Sequence, residues 1–401
     1  MSLALDAPAP SGTAKRNVAL LATMMALMGA MMPVYIVLGG LAGAMLAPDP
    51  RWATLPIAAQ MVTAMLTAAP VSLAMGRFGR KPLFVLGGIA ALGAGALGAY
   101  GIVQGSFTML CGAHALGGFY QTVQNYFRFA ATDRADDAFK PKAVSYVLAG
   151  GLVSALIGPE LVIRFGDWFA PHAFAGAYAA TLATTVLGML AIPFLDLPRP
   201  EPGAAKAGRP MREIMRDRAV PVAMACAMAS YGTMTFVMTA SPLAIVACSY
   251  GTGDAADVVR WHVIAMFGPS FFTGHLIAWW GHARVIGAGL AMLAGCAAVA
   301  LAGIELANFY AALVLLGLGW NFGFIGATAL LATRHRPEER ARVQGLNDLA
   351  VMSVVAVASL SSGAITASAG WAAVNLSALV PVGLAALALA WLATRGRGAA
   401  A

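Results

Sequence analysis

Charge is what this chain has least of. Only 10% of its 401 residues are Asp, Glu, Lys or Arg, and just 17 are acidic. A soluble domain carries about 25% charged residues. With 60% hydrophobic residues and a mean hydropathy of +0.77, the scarcity excludes a water-soluble globule and calls for a bilayer as solvent. Cysteine is nearly as scarce: Cys111, Cys226, Cys248 and Cys296 are the only four, none in a C-x-x-C pair. A disulfide framework is therefore not expected, and buried hydrophobes or soft ligands are the alternatives for the thiols. No phosphate-binding loop and no nucleophile-and-base arrangement occurs, so the chain reads as no enzyme, and no cofactor is expected. Residues 1–16 are polar and Pro/Ala-rich without a cleavable signal pattern, and are expected to form a cytoplasmic tail.

Apolar runs, by contrast, recur throughout. Runs of about 20 residues suffice to cross a bilayer core. Twelve such spans are predicted, at 17–46, 54–75, 82–104, 107–131, 143–163, 173–195, 219–247, 258–280, 284–303, 307–332, 345–367 and 371–394. The expected class is an all-α membrane protein whose principal partner is the lipid bilayer. The net charge of +8 suggests nucleic acid until its placement is read. With the N-terminus inside, only Arg51, Arg164 and Arg260 of the 25 basic residues fall outside. That is the positive-inside pattern, so the basicity sets orientation, with both termini cytoplasmic, including a tail at 395–401.

Residues 196–218, "DLPRPEPGAAKAGRPMREIMRDR", are the one long hydrophilic stretch. They form a linker between six spans at 17–195 and six at 219–394. Sliding the second half back by about 202 residues lays span seven on span one and "LLATRHRPEE" near "FAATDRADD", the internal repeat of many secondary carriers. Between spans two and three, "SLAMGRFGRKPLF" (72–84) resembles the signature of the major facilitator superfamily, G-x-x-x-D-R-x-G-R-R/K. Arg77, Gly79, Arg80 and Lys81 match as a gating loop, whereas Ser72 and Gly76 replace the first glycine and the aspartate. The resemblance implies two six-helix bundles working by alternating access, and the missing aspartate puts the usual charge latch in doubt.

Methionine raises a separate question. Its 21 residues form six pairs four apart, among them Met234 and Met238 in span seven. Such pairs fill irregular gaps between helices. In span eight, however, His262 and Met266 repeat the spacing at comparable depth, and each pair shares one helical face. Three thioethers and an imidazole suit a soft cation, Cu(I) above all. Cys226 and Cys248 lie within a 120° arc of the span-seven pair, at about 100° per residue, and the repeat sets Met32 opposite Met234. These three are candidates for an auxiliary copper path.

The M-x-x-x-M and H-x-x-x-M pattern on such a chain resembles the CcoA-like copper importers of bacterial inner membranes. What the resemblance implies is a monomeric inner-membrane importer of copper, with Met234, Met238, His262 and Met266 as ligands. A cytoplasmic copper acceptor and supply of a cbb-type cytochrome oxidase follow from it. Two alternatives stand beside it. One is a carrier of a small organic nutrient or drug, for which Trp320, Asn321 and the span-four amides Gln121, Gln124 and Asn125 supply aromatic and hydrogen-bonding groups. The other is a copper sensor or scaffold that moves nothing. His114 and Cys111 are weaker candidates for soft ligands.

Overall fold

The computed structural model describes residues 12–136, 139–198, 209–336 and 339–397. Most of the expected N-terminal tail, residues 199–208 of the expected linker and residues 398–401 lie outside the described residues.

The first crossing is α1 (Gly12–Met28) and α2 (Met31–Leu46), interrupted at two residues, and it is already helical ahead of the expected span. Lys15 and Arg16 head it, and buried Asn17 clasps the far end of the first half. Its Nδ2 donates to the Asp196 carbonyl at 2.7 Å, and the Asp196 amide donates back to Oδ1 at 3.0 Å. Then come α3 (Leu55–Phe78), α4 (Arg80–Val103), α5 (Phe107–Gln124), the short α6 (Phe127–Ala130), α7 (Lys140–Phe165) and α8 (Ala175–Met189). Beyond the linker lie the single turn α9 (Met211–Ile214), α10 (Ala219–Ala247), α11 (Thr252–Phe267), α12 (Ser270–Trp280), α13 (His282–Ala302) and α14 (Leu306–Trp320). A π-helical turn at Asn321–Ile325, α15 (Gly326–Ala332) and α16 (Arg340–Arg397) complete the chain.

The class is all-α, with no strand among the described residues. Among the described residues nine helices are long and apolar enough to cross a membrane, or ten with α11–α12 taken as one crossing bent by 43°. At 58 residues α16 far exceeds the roughly 20 that one crossing needs, and Gly370, at φ 76°, divides it in two. Taking the two parts of α16 separately and adding the more polar α5 would give the twelve expected spans among the described residues. Gly79 and Gly281 break the chain between spans two and three and between eight and nine, with φ of 87° and 80°. Their numbers differ by 281 − 79 = 202, the offset of the repeat, and only glycine enters that backbone region without strain.

Residue contacts group the chain into two units. One holds the described residues up to Tyr35 and from Leu66 through the first half; the other holds Ile36–Met65 and the second half. Within the first, small residues let helices close in, as membrane packing requires. A Cβ at Gly98 would stand 2.5 Å from the Tyr178 ring. Gly98→Leu on α4 is therefore expected to destabilise this unit by about 1–3 kcal/mol through overpacking, read as a lower melting temperature in detergent. In span five, Gly150 and Gly158 abut the Ala22 and Ala30 carbonyls, while a Cβ at Gly151 would meet nothing within 4 Å. In the second unit α10 is buried along most of its length and pairs chiefly with α16. The Ser362 hydroxyl donates to the Phe236 carbonyl there at 2.7 Å.

Candidate substrate site and gating latch

In the second unit, an aromatic cluster forms where α10, α11 and α14 meet. The Trp320 ring stacks on Phe324 at 5.4 Å with 16° between planes, and Tyr231 from α10 lies 5.5 Å from Trp320 and 5.1 Å from Phe324. Phe267, the last residue of α11, approaches Trp320 edge-on at 5.9 Å. The π-helical turn places Trp320 and Phe324 on the same side; one extra residue per turn, inserted here, is a feature that recurs at functional sites. Two buried polar groups beside this wall have no hydrogen-bond partner, Trp320 Nε1 and the Ser230 hydroxyl. Ser230 sits directly against Gly323, where a Cβ would collide with its oxygen. Leaving a buried donor unmade costs about 1–3 kcal/mol, so both suit a ligand that brings acceptors. Asn321 follows Trp320, and its amide is fully engaged by α11 and α12. Flat faces for stacking, with hydroxyl and indole donors at the edge, are what a planar heteroaromatic solute needs.

The four expected metal ligands are buried in the same unit: Met234 and Met238 on α10, His262 and Met266 on α11. Their pairing across consecutive spans does not organise the packing. The principal neighbour of α11 is α14 rather than α10. The His262 ring meets the Leu313 carbonyl of α14 through Nδ1 at 2.8 Å, and a Cβ at Gly317 would press on the His262 and Met266 backbone. The imidazole thus holds a helix–helix contact. Cys226 turns its thiol toward the Ala385 carbonyl of α16 at 3.9 Å, Cys248 caps the end of α10 half-buried, and Met32 belongs to the first unit. Among the described residues no group of three or more His, Cys, Asp or Glu could hold a metal ion. Nor is His114 an open ligand: its Nε2 pairs with the Tyr178 hydroxyl at 2.9 Å, beside the Tyr35 ring at 4.6 Å.

The residues expected to form a gating loop lie in the first unit, where Arg80 is paired with an acidic residue elsewhere in the chain. Arg80, at the start of α4, makes a two-pronged contact with Asp133 after α6, Nη2 to Oδ1 and Nε to Oδ2, each 2.8 Å. Lys81 Nζ donates to the Pro193 carbonyl at 3.1 Å, and Arg77 lies over the Phe78 ring at 5.2 Å. Gly79 supplies the turn. A cavity of about 290 Å³ opens here, lined by Gly76, Met75, Ser72 and Tyr126 beside the ion pair. At Gly76, where the signature has its aspartate, a Cβ would meet nothing within 4 Å.

A second clasp closes the other unit. Buried Glu339 accepts from the Arg209 guanidinium at Nε and Nη2, both 2.8 Å, and from the Arg209 and Arg336 amides at 3.0 and 2.9 Å. The two clasps titrate oppositely. Burial raises the Asp133 carboxyl above the usual carboxylate range, more than Arg80 and Arg134 lower it, whereas the Arg209 hydrogen bonds hold Glu339 well below that range. A raised carboxyl takes its proton sooner as pH falls. A depressed one keeps its stabilising charge until the pH drops through its low folded value. Because Asp133 binds a proton more readily in the folded chain than in the unfolded one, acidification from pH 7 to pH 5 is expected to slow amide exchange, corrected for intrinsic rates, around residues 126–136 and to leave 339–342 unchanged, as hydrogen-exchange mass spectrometry would show.

Sequence reasoning missed Tyr231, Phe267 and Phe324 as one cluster and Asp133 as the partner of Arg80. The aromatic alternation in "WNFGF" (320–324) was an available signal for the first. Asp133 stood in "FAATDRADD", a stretch that marked only the repeat.

An all-helical chain of this kind, with a break at the same place in each half, is a multi-pass membrane carrier. No protein-family model matches it. Over 394 residues it is 40% identical to the riboflavin transporter RfnT of Brucella anthropi, covering 97% of this chain and 98% of that protein. It is 27% identical over 367 residues to YddS of Bacillus subtilis, an uncharacterized MFS-type transporter, covering 84% and 83%. Among solved structures, the nucleoside transporter NupG superposes with a TM-score of 0.74 at 11% identity, over 93% of this chain and 98% of that one. The chain belongs to the major facilitator superfamily of transporters.

These likenesses correct the expected cargo. A full-length relative at 40% identity that transports riboflavin overturns the copper importer, and with it the copper ion, the cytoplasmic copper acceptor and the oxidase-assembly role. The four residues that suggested a soft-metal site are all buried; His262 meets the Leu313 carbonyl through Nδ1, and its Nε2 has no hydrogen-bond partner.

Proposed function

We propose that the protein carries riboflavin, or a solute of the same planar heteroaromatic class, by alternating access across a bacterial inner membrane. In this reading both termini are cytoplasmic and the halves at 17–195 and 219–394 move about the linker. The observation that carries it is the 40% identity, across nearly the whole of both chains, to a riboflavin transporter. The site supports it chemically. Trp320, Phe324 and Tyr231 offer ring faces, and the Trp320 indole N–H and Ser230 hydroxyl offer donors to ring carbonyls. A solute so held leaves easily, because stacking and one or two neutral hydrogen bonds give modest affinity. The positive-inside distribution of Lys and Arg supports the orientation. Expression in a riboflavin-auxotrophic bacterium tests the reading. Growth on micromolar riboflavin with saturable uptake of the labelled vitamin is expected. Growth and uptake no better than the empty-vector strain, with the protein present in the membrane, would reject it.

A further inference from the structure

The polar group that shapes the aromatic wall does not belong to the wall itself. Asn321, fully buried, opens the π-helical turn between Trp320 and Phe324. Its side-chain nitrogen donates to the Met266 carbonyl at 2.6 Å and to the Ser270 hydroxyl at 2.7 Å. Its oxygen accepts from the Thr273 hydroxyl at 2.6 Å, a hydroxyl shared with the Pro269 carbonyl at 2.8 Å. Those partners bracket the break between α11 and α12, where the span bends by 43° and Pro269 removes a ladder donor. Both hydrogens of one amide are therefore spent across a helix break. The two residues next to its anchors, Trp320 before Asn321 and Phe267 after Met266, face each other at 5.9 Å.

We propose that Asn321 is the positioning residue of the substrate site. It pins the π-turn of span ten to the break in span eight, fixing the ring plane on which a planar heteroaromatic solute stacks and coupling that stacking to the bend. The inference rests on the carrier function proposed above for its transport readout, but not for its structural one. A bent span and a π-turn are each soft places in a helix. Joined by one side chain they move as a unit, so a ring seated on Trp320 biases the bend. Buried amides with all hydrogens committed rigidify and specify a local arrangement, whereas an apolar replacement would leave the Met266 carbonyl and two hydroxyls to find new partners.

Two measurements on the full-length protein separate this from plain packing. In uptake assays, Asn321→Ala is expected to raise KM for riboflavin about tenfold, with uptake at saturation, corrected for protein amount, within about twofold of wild type. Ser270→Ala and Thr273→Val each remove one bond, are milder for folding, and should raise KM about threefold. Combined with Asn321→Ala they should add nearly nothing, the signature of groups acting as one unit. In ligand-free nanodiscs, amide exchange in 317–325 and 264–273 should accelerate together in Asn321→Ala. KM unchanged in all three variants, with only expression or melting temperature lowered, would overturn the proposal. So would acceleration of one segment without the other. If wild-type protein moves no riboflavin, the carrier reading fails, while joint exchange of the two segments still supports the pin and independent exchange still refutes it.

Discussion

Trp320→Ala is expected to lower riboflavin uptake at subsaturating concentration by at least tenfold. Stacking of a heteroaromatic ring on an aromatic side chain is worth about 1–3 kcal/mol by alanine substitution, or roughly 5- to 150-fold in affinity. Trp320 also orders its neighbours: Phe324 stacks on it, and Tyr231 and Phe267 lean on its edges. Removing the indole therefore takes away the stacking face, its N–H and the support of three rings. Trp320→Phe keeps the face but loses the donor, and should fall between wild type and alanine. The pair of variants divides stacking from hydrogen bonding. A Trp320→Ala protein that transports like wild type would place the substrate elsewhere.

The second large effect concerns the latch. Arg80→Ala is expected to cut the maximal transport rate about tenfold with little change in KM, since Arg80 lies in the first unit and the aromatic wall in the second. Arg80 and Asp133 are each less than a quarter exposed, and hydrogen bonds to charged groups contribute about 1.5–3 kcal/mol. Deleting the guanidinium leaves a mostly buried carboxylate with its chief partner gone. Asp133→Asn should give a similar loss for the complementary reason. The open space at Gly76 provides the diagnostic. Gly76→Asp restores the signature carboxylate beside Arg80 and should rescue transport in the Asp133→Asn background. Absence of rescue, with both carboxylate positions accommodated in a stable protein, would count against an interchangeable partner for Arg80.

Much of the fold was legible because its physics is coarse. Twenty-residue apolar runs, the charge asymmetry and the repeat of about 202 residues require no knowledge of which side chain touches which. Gly79 and Gly281 then break the chain at equivalent places. Two departures are local. Helix extends ahead of the expected first span, and Asn17 within it is tied to Asp196, a contact between positions 179 apart that no periodicity reveals. Spans eleven and twelve fuse into α16, with only Gly370 marking the turn.

The site was less legible. The repeated four-residue spacing of Met234/Met238 and His262/Met266 is real, and its reading as a ligand set assumed that consecutive spans face each other. Span eight packs mainly on span ten, where His262 meets Leu313 through one ring nitrogen and leaves Nε2 unpaired. The tertiary neighbour decides what a shared helical face means, and spacing along one helix cannot supply it. Trp320 and Asn321 stood in the sequence as possible groups for an organic solute. What singles them out is the π-turn, which one extra residue in a helical turn creates without leaving a compositional mark.

The most direct test of the carrier assignment is uptake by purified protein reconstituted in liposomes and supplied with radiolabelled riboflavin. The expected result is saturable accumulation above protein-free vesicles, competed by excess unlabelled riboflavin and strongly reduced by Trp320→Ala. Accumulation equal to that of protein-free vesicles, from protein shown to be folded and inserted, would contradict it.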